Sequence, residues 1–543
     1  MPQKHHEQLV TVPPDGGWAW VITAVGFLGI IIIDMPCMSF QVVVPFLLET
    51  LHASKPSVTI IFSTYTLLMQ LLGPVAGGIC NRFGFRIAFI IGSVLMVVGL
   101  LPIFWISNYV LTVFLYGVIA GSGSSFILIV SAVAPGFWFE RKRPIALGIV
   151  SSATGFSVLS INISQFCSDK LGWRYCFILW AIIISLTGSL SVLLYPPPMI
   201  ELQGQAVVEN VPMRSVTAMD LVNTKKIKNI EKMESAHEIP NRIMSRISEQ
   251  SGVPVPSTSQ KVSDEYTRRS SCCPSCCNCF GKAMAGSRPL YRKDIFYQGN
   301  LDQASELNNT PREAYTLPLS KLPTVQDVKE EREGHWKIPE AVSRAVSEMI
   351  DLSLLKSAVF LLLVLATFLF YTAVYIPFLQ LKRVNEGKME ECYRLMIPIL
   401  MGAGVTTFRL LVGFMLYFFP SISALLIIVI ASFASGLIFL SVMLSHATPY
   451  QIGFAFFGGA FPSIINPLRS VVIIEKLGLD RLTSCMGMLF FVQGIACFIG
   501  LLFAELLIEG TGSIYAGLVF CSICFILSGM VFALIGIMNK FKK

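Results

Sequence analysis

Charge is what this 543-residue chain has least of. Asp, Glu, Lys and Arg make up 14% of it, against roughly 25% in soluble domains. Hydrophobic residues fill the gap at 54%, which excludes an ordinary soluble domain. Histidine is scarcer still. His5, His6, His52, His237, His335 and His446 all fall in tails, loops or a polar insert. With no intramembrane His cluster, Ser–His pair or phosphate-cradling loop, neither an enzyme nor a metal or cofactor site is indicated. The alternation of a transmembrane barrel is missing too. So is a signal peptide, because residues 1–14 are polar and the first apolar run is far longer than a signal h-region, so the first helix is expected to stay in place. The net charge of +8 does not point to nucleic acid, since charge sign in a membrane protein reports topology first. The fourteen cysteines lie mostly in apolar spans or in an insert expected to be cytosolic, where disulfides are not expected.

What the chain does have is apolar stretches of membrane-crossing length, about 20 residues for a hydrocarbon core of about 30 Å. Twelve spans are predicted: Trp18–Leu48, Val58–Cys80, Ile87–Trp105, Val110–Phe137, Ile145–Cys167 and Tyr175–Tyr195, then Leu354–Leu381, Leu395–Phe419, Ile422–Leu444, Gln451–Ile474, Leu482–Leu507 and Ser513–Met538. Helices are the natural choice, because backbone groups in lipid must be satisfied internally. The first is too long for a simple crossing, about 46 Å at 1.5 Å per residue, and Pro36 and Pro45 predict a kink or tilt.

The predicted organisation is an all-α polytopic membrane protein of six plus six helices. A tail (1–17) precedes the first half (18–195). A polar loop (196–351), expected to be largely disordered apart from a short helix near Ile338–Ile350, separates it from the second half (352–538) and a short tail (539–543). With both termini cytoplasmic, the inner side holds Lys4, Arg82, Arg86, Arg141, Lys142, Arg143, Lys476, Arg481, Lys540, Lys542 and Lys543. The outer side holds Lys55, Lys170, Arg174, Lys382, Arg383 and Lys388, so the bias is about eleven to six in the direction of the positive-inside rule.

Three motifs narrow the class. Gly77-x-x-x-Asn81-Arg82-Phe83-Gly84-Phe85-Arg86 resembles the signature that major facilitators carry between their second and third helices, with Asn81 where an acid is commoner. Asp15-Gly16-Gly17-Trp18-Ala19-Trp20 resembles the first signature of the monocarboxylate transporter family. Trp138-Phe139-Glu140-Arg141-Lys142-Arg143-Pro144-Ile145-Ala146-Leu147-Gly148 resembles its second, although Val150, Ser152 and Ala153 depart from it. Gly172-Trp173-Arg174 and Gly478-Leu479-Asp480-Arg481-Leu482 also look like this family. The resemblance covers both halves and implies the major facilitator fold, in which the halves rock about a midplane site.

Physical roles for the signatures are modest. Trp18 and Trp20 suit a membrane–water interface, and Asp15 reads as a helix N-cap facing the positive end of the dipole. Arg82, Arg86, Arg141, Lys142 and Arg143 are topological determinants or gate partners. Arg469 and Glu475, near the inner end of the tenth span, read as an inter-half gate.

The transport site is expected where charge meets the midplane. Arg409 lies deep in the eighth span, and a guanidinium fits a carboxylate bidentately. The family resemblance implies that an arginine here is the substrate-carboxylate ligand. Proton-coupled members add a lysine in the first span and an aspartate one turn before the arginine. Those positions are Met38 and Val405 in this chain. What remains is Asp34, one turn before Met38 and on about the same face. Two readings of it stay open: a bridge to Arg409 that breaks when an anion arrives, or a ligand for the cationic group of a zwitterion. Gln70, Gln41, Asn162, Ser463, Asn466, Tyr371, Tyr375 and Phe461 are lining candidates, each equally suited to helix–helix contacts.

In the loop, Cys272, Cys273, Cys276, Cys277 and Cys279 follow Arg268 and Arg269, a pattern that suits reversible acylation better than zinc. The expected function is a plasma-membrane facilitator of small organic monocarboxylates with weak or no obligatory proton coupling. A proton-coupled lactate or pyruvate symporter, a carrier of zwitterionic or aromatic acids, and a non-transporting sensor are the alternatives. Expected partners are a small organic anion, lipid and, by the resemblance alone, a single-pass immunoglobulin-type ancillary protein.

Overall fold

The structure, a computed structural model, describes residues 8–11, 15–195, 199–202, 294–299, 346–347, 349–385, 390–419, 422–445 and 447–541. They fall in two units. Most of the strand Gln8–Thr11 and all of Met199–Leu202 lie in the smaller, where they pair as a short two-stranded sheet. Everything below concerns the larger unit. The loop cysteines 272–279 lie outside the described residues.

The larger unit is a helical bundle; among the described residues, eleven helices are long and apolar enough to cross a membrane. Its outward residues are apolar as well: Val110, Leu186 and Leu444 are 72%, 71% and 78% exposed, which suits lipid contact rather than water. The first helix runs unbroken over Trp18–Leu51 with Pro36 and Pro45 inside it. Proline removes a ladder donor, and in lipid the freed carbonyls need other partners. The carbonyls that lose their ladder donor are those of Ile32 and Gln41; beside the first, Tyr65 Oη donates to the Ile33 carbonyl at 2.7 Å, and Tyr116 Oη to that of Pro36 at 2.9 Å. These phenols hold the stretch around Asp34 in one orientation.

The second span takes a form the sequence did not show. Helix Lys55–Leu71 stops at Leu72, where ψ is 4°, and resumes at Gly73 because Pro74 cannot donate across the join. The chain then turns at Gly84, whose φ of 82° is a left-handed value that a Cβ would strain. The signature glycine thus ends the second span and starts the third. The seventh and tenth spans are also broken near their middles. Ala358–Ala373 gives way to Ile376–Val384 at Tyr375, and Thr448–Ser463 to Ile465–Leu477 at Ile464. Discontinuous helices of this kind mark the central sites of carriers.

The halves meet along two pairs of helices. The fifth span (Arg143–Leu171) crosses the eighth (Leu395–Phe418) at glycines, where a Cβ on Gly148 would stand 3.0 Å from the Gly413 Cα. The second lies against the eleventh (Leu479–Thr511), where a Cβ on Gly494 would stand 2.7 Å from the Leu67 carbonyl oxygen. Small residues let backbones approach where no hydrophobic driving force acts between helices.

The end bearing Trp18, Gly84 and residues 139–142 is termed the signature end. There, Asp294–Gly299 of the long loop is folded into the bundle, with Asp294 and Ile295 at 0% exposure. Val346, Ser347 and Met349 are helical, and Met349 is buried against Gly487.

Candidate functional site

Asp34 is buried at 6% exposure on the first helix. The Thr154 hydroxyl from the fifth span and the Arg409 guanidinium from the eighth are the polar groups acting on its carboxylate. Arg409 Nη1 donates to the Ser151 carbonyl at 2.6 Å, and Thr406 Oγ1 to that of Ser152 at 3.2 Å, so this arginine is anchored across the two halves. Its charge also acts on the Tyr371 and Tyr375 phenols of the seventh span. The Arg409 Nε is buried with no acceptor. Among the ion pairs of the described residues, none joins Asp34 to Arg409. The two charges face each other without forming the direct bridge that one reading of the sequence favoured.

One turn toward the opposite end the lining becomes apolar. Met38, Val42, Val158 and Ile161 form a buried cluster, with Tyr375 and Phe378 packed on it from the other half. Asn162 Nδ2 ties the halves there by donating to the Leu395 carbonyl at 3.1 Å. Beyond this plug lies a cleft lined by Gln41, Ile161, Pro377, Phe378, Ile397, Pro398 and Met401. Gln41 and Ile161 stand seven residues from Asp34 and Thr154, about 10 Å along a helix, so the cleft is separated from the charges by the plug.

A second guanidinium reaches the same tyrosine of the seventh span. Arg469 is 5% exposed, and its Cζ lies 5.8 Å from the Tyr371 ring centroid and 5.7 Å from that of Phe490. Gln493, with its amide oxygen turned toward the arginine, accepts from Arg469 Nη2 at 3.1 Å, while Nε has no acceptor. Tyr371 Oη donates to Asn466 Oδ1, and both guanidiniums act on that phenol. No carboxylate pairs with Arg469 among the described ion pairs.

The other lining candidates divide. Ser463 donates to its own helix at the Ala460 carbonyl, 2.6 Å, and Gln70 packs where Gly494 presses on the second span. Phe461 stacks among Phe408 and Phe457. Thr154, Phe490, Gln493 and Cys497, whose Sγ donates to the Tyr371 carbonyl at 3.5 Å, were missed, although Thr154 and Gln493 carry the faint signal of a polar side chain in an apolar span.

At the signature end the two family-like motifs form one unit. Asp15 is not the cap of the first helix; that position is Gly17, with no side-chain bond. Asp15 Oδ1 instead accepts from the backbone N–H groups of Glu140 at 2.7 Å and Arg141 at 3.1 Å, and the Trp20 and Phe139 rings meet edge-on at 4.8 Å. Trp18 Nε1 donates to the Leu193 carbonyl at 3.1 Å. Arg82 and Arg86 are half-buried beside the Gly84 turn, Arg141 and Lys142 are exposed, and Arg143 is wholly buried. Asp15→Ala removes two charge-assisted bonds of about 1.5–3 kcal/mol each. It is expected to lower the thermal unfolding temperature of the purified chain by several degrees, with Asp15→Asn recovering part of the loss.

Membrane-length helices, several of them broken around a buried Asp34 and a half-buried Arg409, have the build of a solute carrier. Family comparison agrees: the Major Facilitator Superfamily model matches residues 26–500, and the chain belongs to that superfamily, one of multi-pass membrane transporters rather than enzymes. Among individual proteins it is similar to human monocarboxylate transporter 2, 28% identical over 33% of this chain and 38% of that one. It is also similar to human monocarboxylate transporter 14, 28% identical over 30% of this chain and 32% of that one. The matched stretches thus span well under half the length of these relatives. In structure it is similar to the human organic anion transporter MFSD10 (TM-score 0.52, 13% identity, covering 96% and 100% of the two chains). The proton:xylose symporter XylE gives a TM-score of 0.55 at 13% identity, covering 94% of each. At such identity these two structures show the fold alone.

Proposed function

We propose that the chain is a plasma-membrane facilitator of small organic monocarboxylates, working by alternating access with weak or no obligatory proton coupling, and with both termini and the long loop cytoplasmic. The observation that carries this reading is Arg409: a guanidinium anchored across the halves, facing Asp34, with a buried Nε that has no acceptor. It offers a carboxylate a charge-assisted donor in a low-dielectric site.

The charge balance supports a monoanion. Two guanidiniums, Arg409 and Arg469, and one carboxylate, Asp34, leave the centre at +1 with Asp34 ionised. A monocarboxylate brings it to neutrality without a proton. A zwitterion leaves the excess uncompensated, which is costly at membrane depth. The lysine and aspartate of the proton-coupled pattern are replaced by Met38 and Val405, and Met38 is committed to the apolar plug.

The test is radiolabelled uptake of lactate, pyruvate, aromatic amino acids, creatine and carnitine by cells displaying the protein, with intracellular pH followed at the same time. Saturable monocarboxylate uptake without matching acidification is expected. Stoichiometric acidification with lactate would establish the symporter, and no flux from well-displayed protein would establish the sensor. Arg469→Gln makes the empty centre neutral and is expected to lower monocarboxylate uptake at least tenfold, whereas Arg469→Lys retains part of it. Equal uptake by both variants would remove Arg469 from the charge balance.

A further inference from the structure

The loop segment at the signature end touches both halves of the transporter. Arg143, at the start of the fifth span, holds the segment with one arm of its guanidinium while the rest is braced on the first half. Nε donates to the Phe139 carbonyl at 3.0 Å and Nη2 to that of Gly136 at 2.6 Å. Nη1 reaches the Asp294 carbonyl at 3.0 Å and pairs with Asp294 Oδ2 at 2.8 Å, with both side chains at 0% exposure. From the second half, Ser470 Oγ accepts from the Gln298 backbone N–H at 3.1 Å, and the Phe490 ring meets Phe296 edge-on at 6.0 Å. Burial, with the Glu475 charge adding to it, pushes the Tyr297 phenol up to about 12, so it sits there uncharged.

Opening this end means drawing the fourth and fifth spans away from the tenth and eleventh. Asp294 holds the first pair, while Phe296 and Gln298 hold the second. The segment cannot keep both sets of contacts through that movement. Its recognition chemistry is specific: one carboxylate for a buried guanidinium, and an aromatic side chain meeting another between the halves. Phe490 also faces Arg469, so the segment seals the passage directly beneath the central charges.

We propose that the groove between the halves at the signature end is a regulatory peptide site, taking acidic–aromatic segments, and that Asp294–Gly299 is its resident ligand. Seated, the segment locks this end shut; a transport cycle requires it to release the second half. The regulatory part of this proposal rests on the transport reading above, while the peptide site itself does not.

The test uses the full chain in proteoliposomes. A Gln298→Cys/Ser470→Cys pair should cross-link on oxidation, as read by mass spectrometry of the linked peptides, with each single cysteine as control. Cross-linking should lower pyruvate uptake at least tenfold, and reduction should restore it. The Asp294→Asn/Phe296→Ala variant should transport at least threefold faster with unchanged half-saturation. A fluorescent peptide of sequence Asp-Ile-Phe-Tyr-Gln-Gly should bind this released variant and slow it, and its Asn-for-Asp counterpart should do neither. Failure to cross-link, full uptake by cross-linked protein, or a released variant no faster than the parent would overturn the lock. If no acid is moved by any form, the transport reading fails on its own. The site is then judged by the peptide, which must bind the released variant and not the parent.

Discussion

Arg409→Ala is expected to lower monocarboxylate uptake by more than a hundredfold while surface display stays at the parent level. Two charge-assisted hydrogen bonds from one guanidinium are worth about 3–6 kcal/mol together, and about 1.4 kcal/mol is a factor of ten. Arg409→Lys keeps the charge but loses the planar fork and the reach to the Ser151 carbonyl, so an intermediate loss is expected. Uptake kinetics with surface biotinylation make the measurement. Parent-level uptake in the alanine variant would move the substrate to another part of the bundle.

The second large effect belongs to a residue that touches no substrate. A Cβ at Gly155 would stand 2.7 Å from the Thr406 backbone nitrogen and would also meet Thr406 Oγ1 and the Gly402 carbonyl. Nothing there can give way, because the obstacle is the backbone of the other half, one turn from Arg409. Gly155→Val is expected to prevent the halves from closing, with the chain retained inside the cell or eluting as aggregate in size-exclusion chromatography. Gly453→Val is the control, since a Cβ at Gly453 has nothing within 4 Å. Comparable damage from both substitutions would show that the fifth–eighth crossing is not what limits assembly.

Much of this was legible in the sequence because lipid leaves so few options. Runs of about 20 apolar residues had to be helices. An aspartate and an arginine inside such runs had to face inward: Asp34 is buried, and the charge of the half-buried Arg409 acts on it. What stayed hidden depends on direction and on neighbours distant in sequence. The spacing of Arg469 from Glu475 places it near a helix end and says nothing of the break at Ile464 or of the Tyr371 ring beside it. Asp15 looked like a helix cap because its donors, 125 and 126 residues away, cannot be read locally. Asp294–Gly299 has no period of its own; its order comes from two surfaces that neither composition nor hydropathy describes.

The unequal number of guanidiniums and carboxylates at the centre has an electrical consequence on the facilitator reading. With substrate bound the moving site is neutral, so the membrane potential does no work on the loaded crossing. Empty, it carries one positive charge, and the voltage acts on the return stroke. A potential of 100 mV, negative inside, biases that step by about 2.3 kcal/mol, which shifts the equilibrium distribution of the anion roughly fiftyfold toward the outside. Such a carrier is a current source whose resting direction is export, and its flux should follow clamp voltage even where its apparent affinity does not.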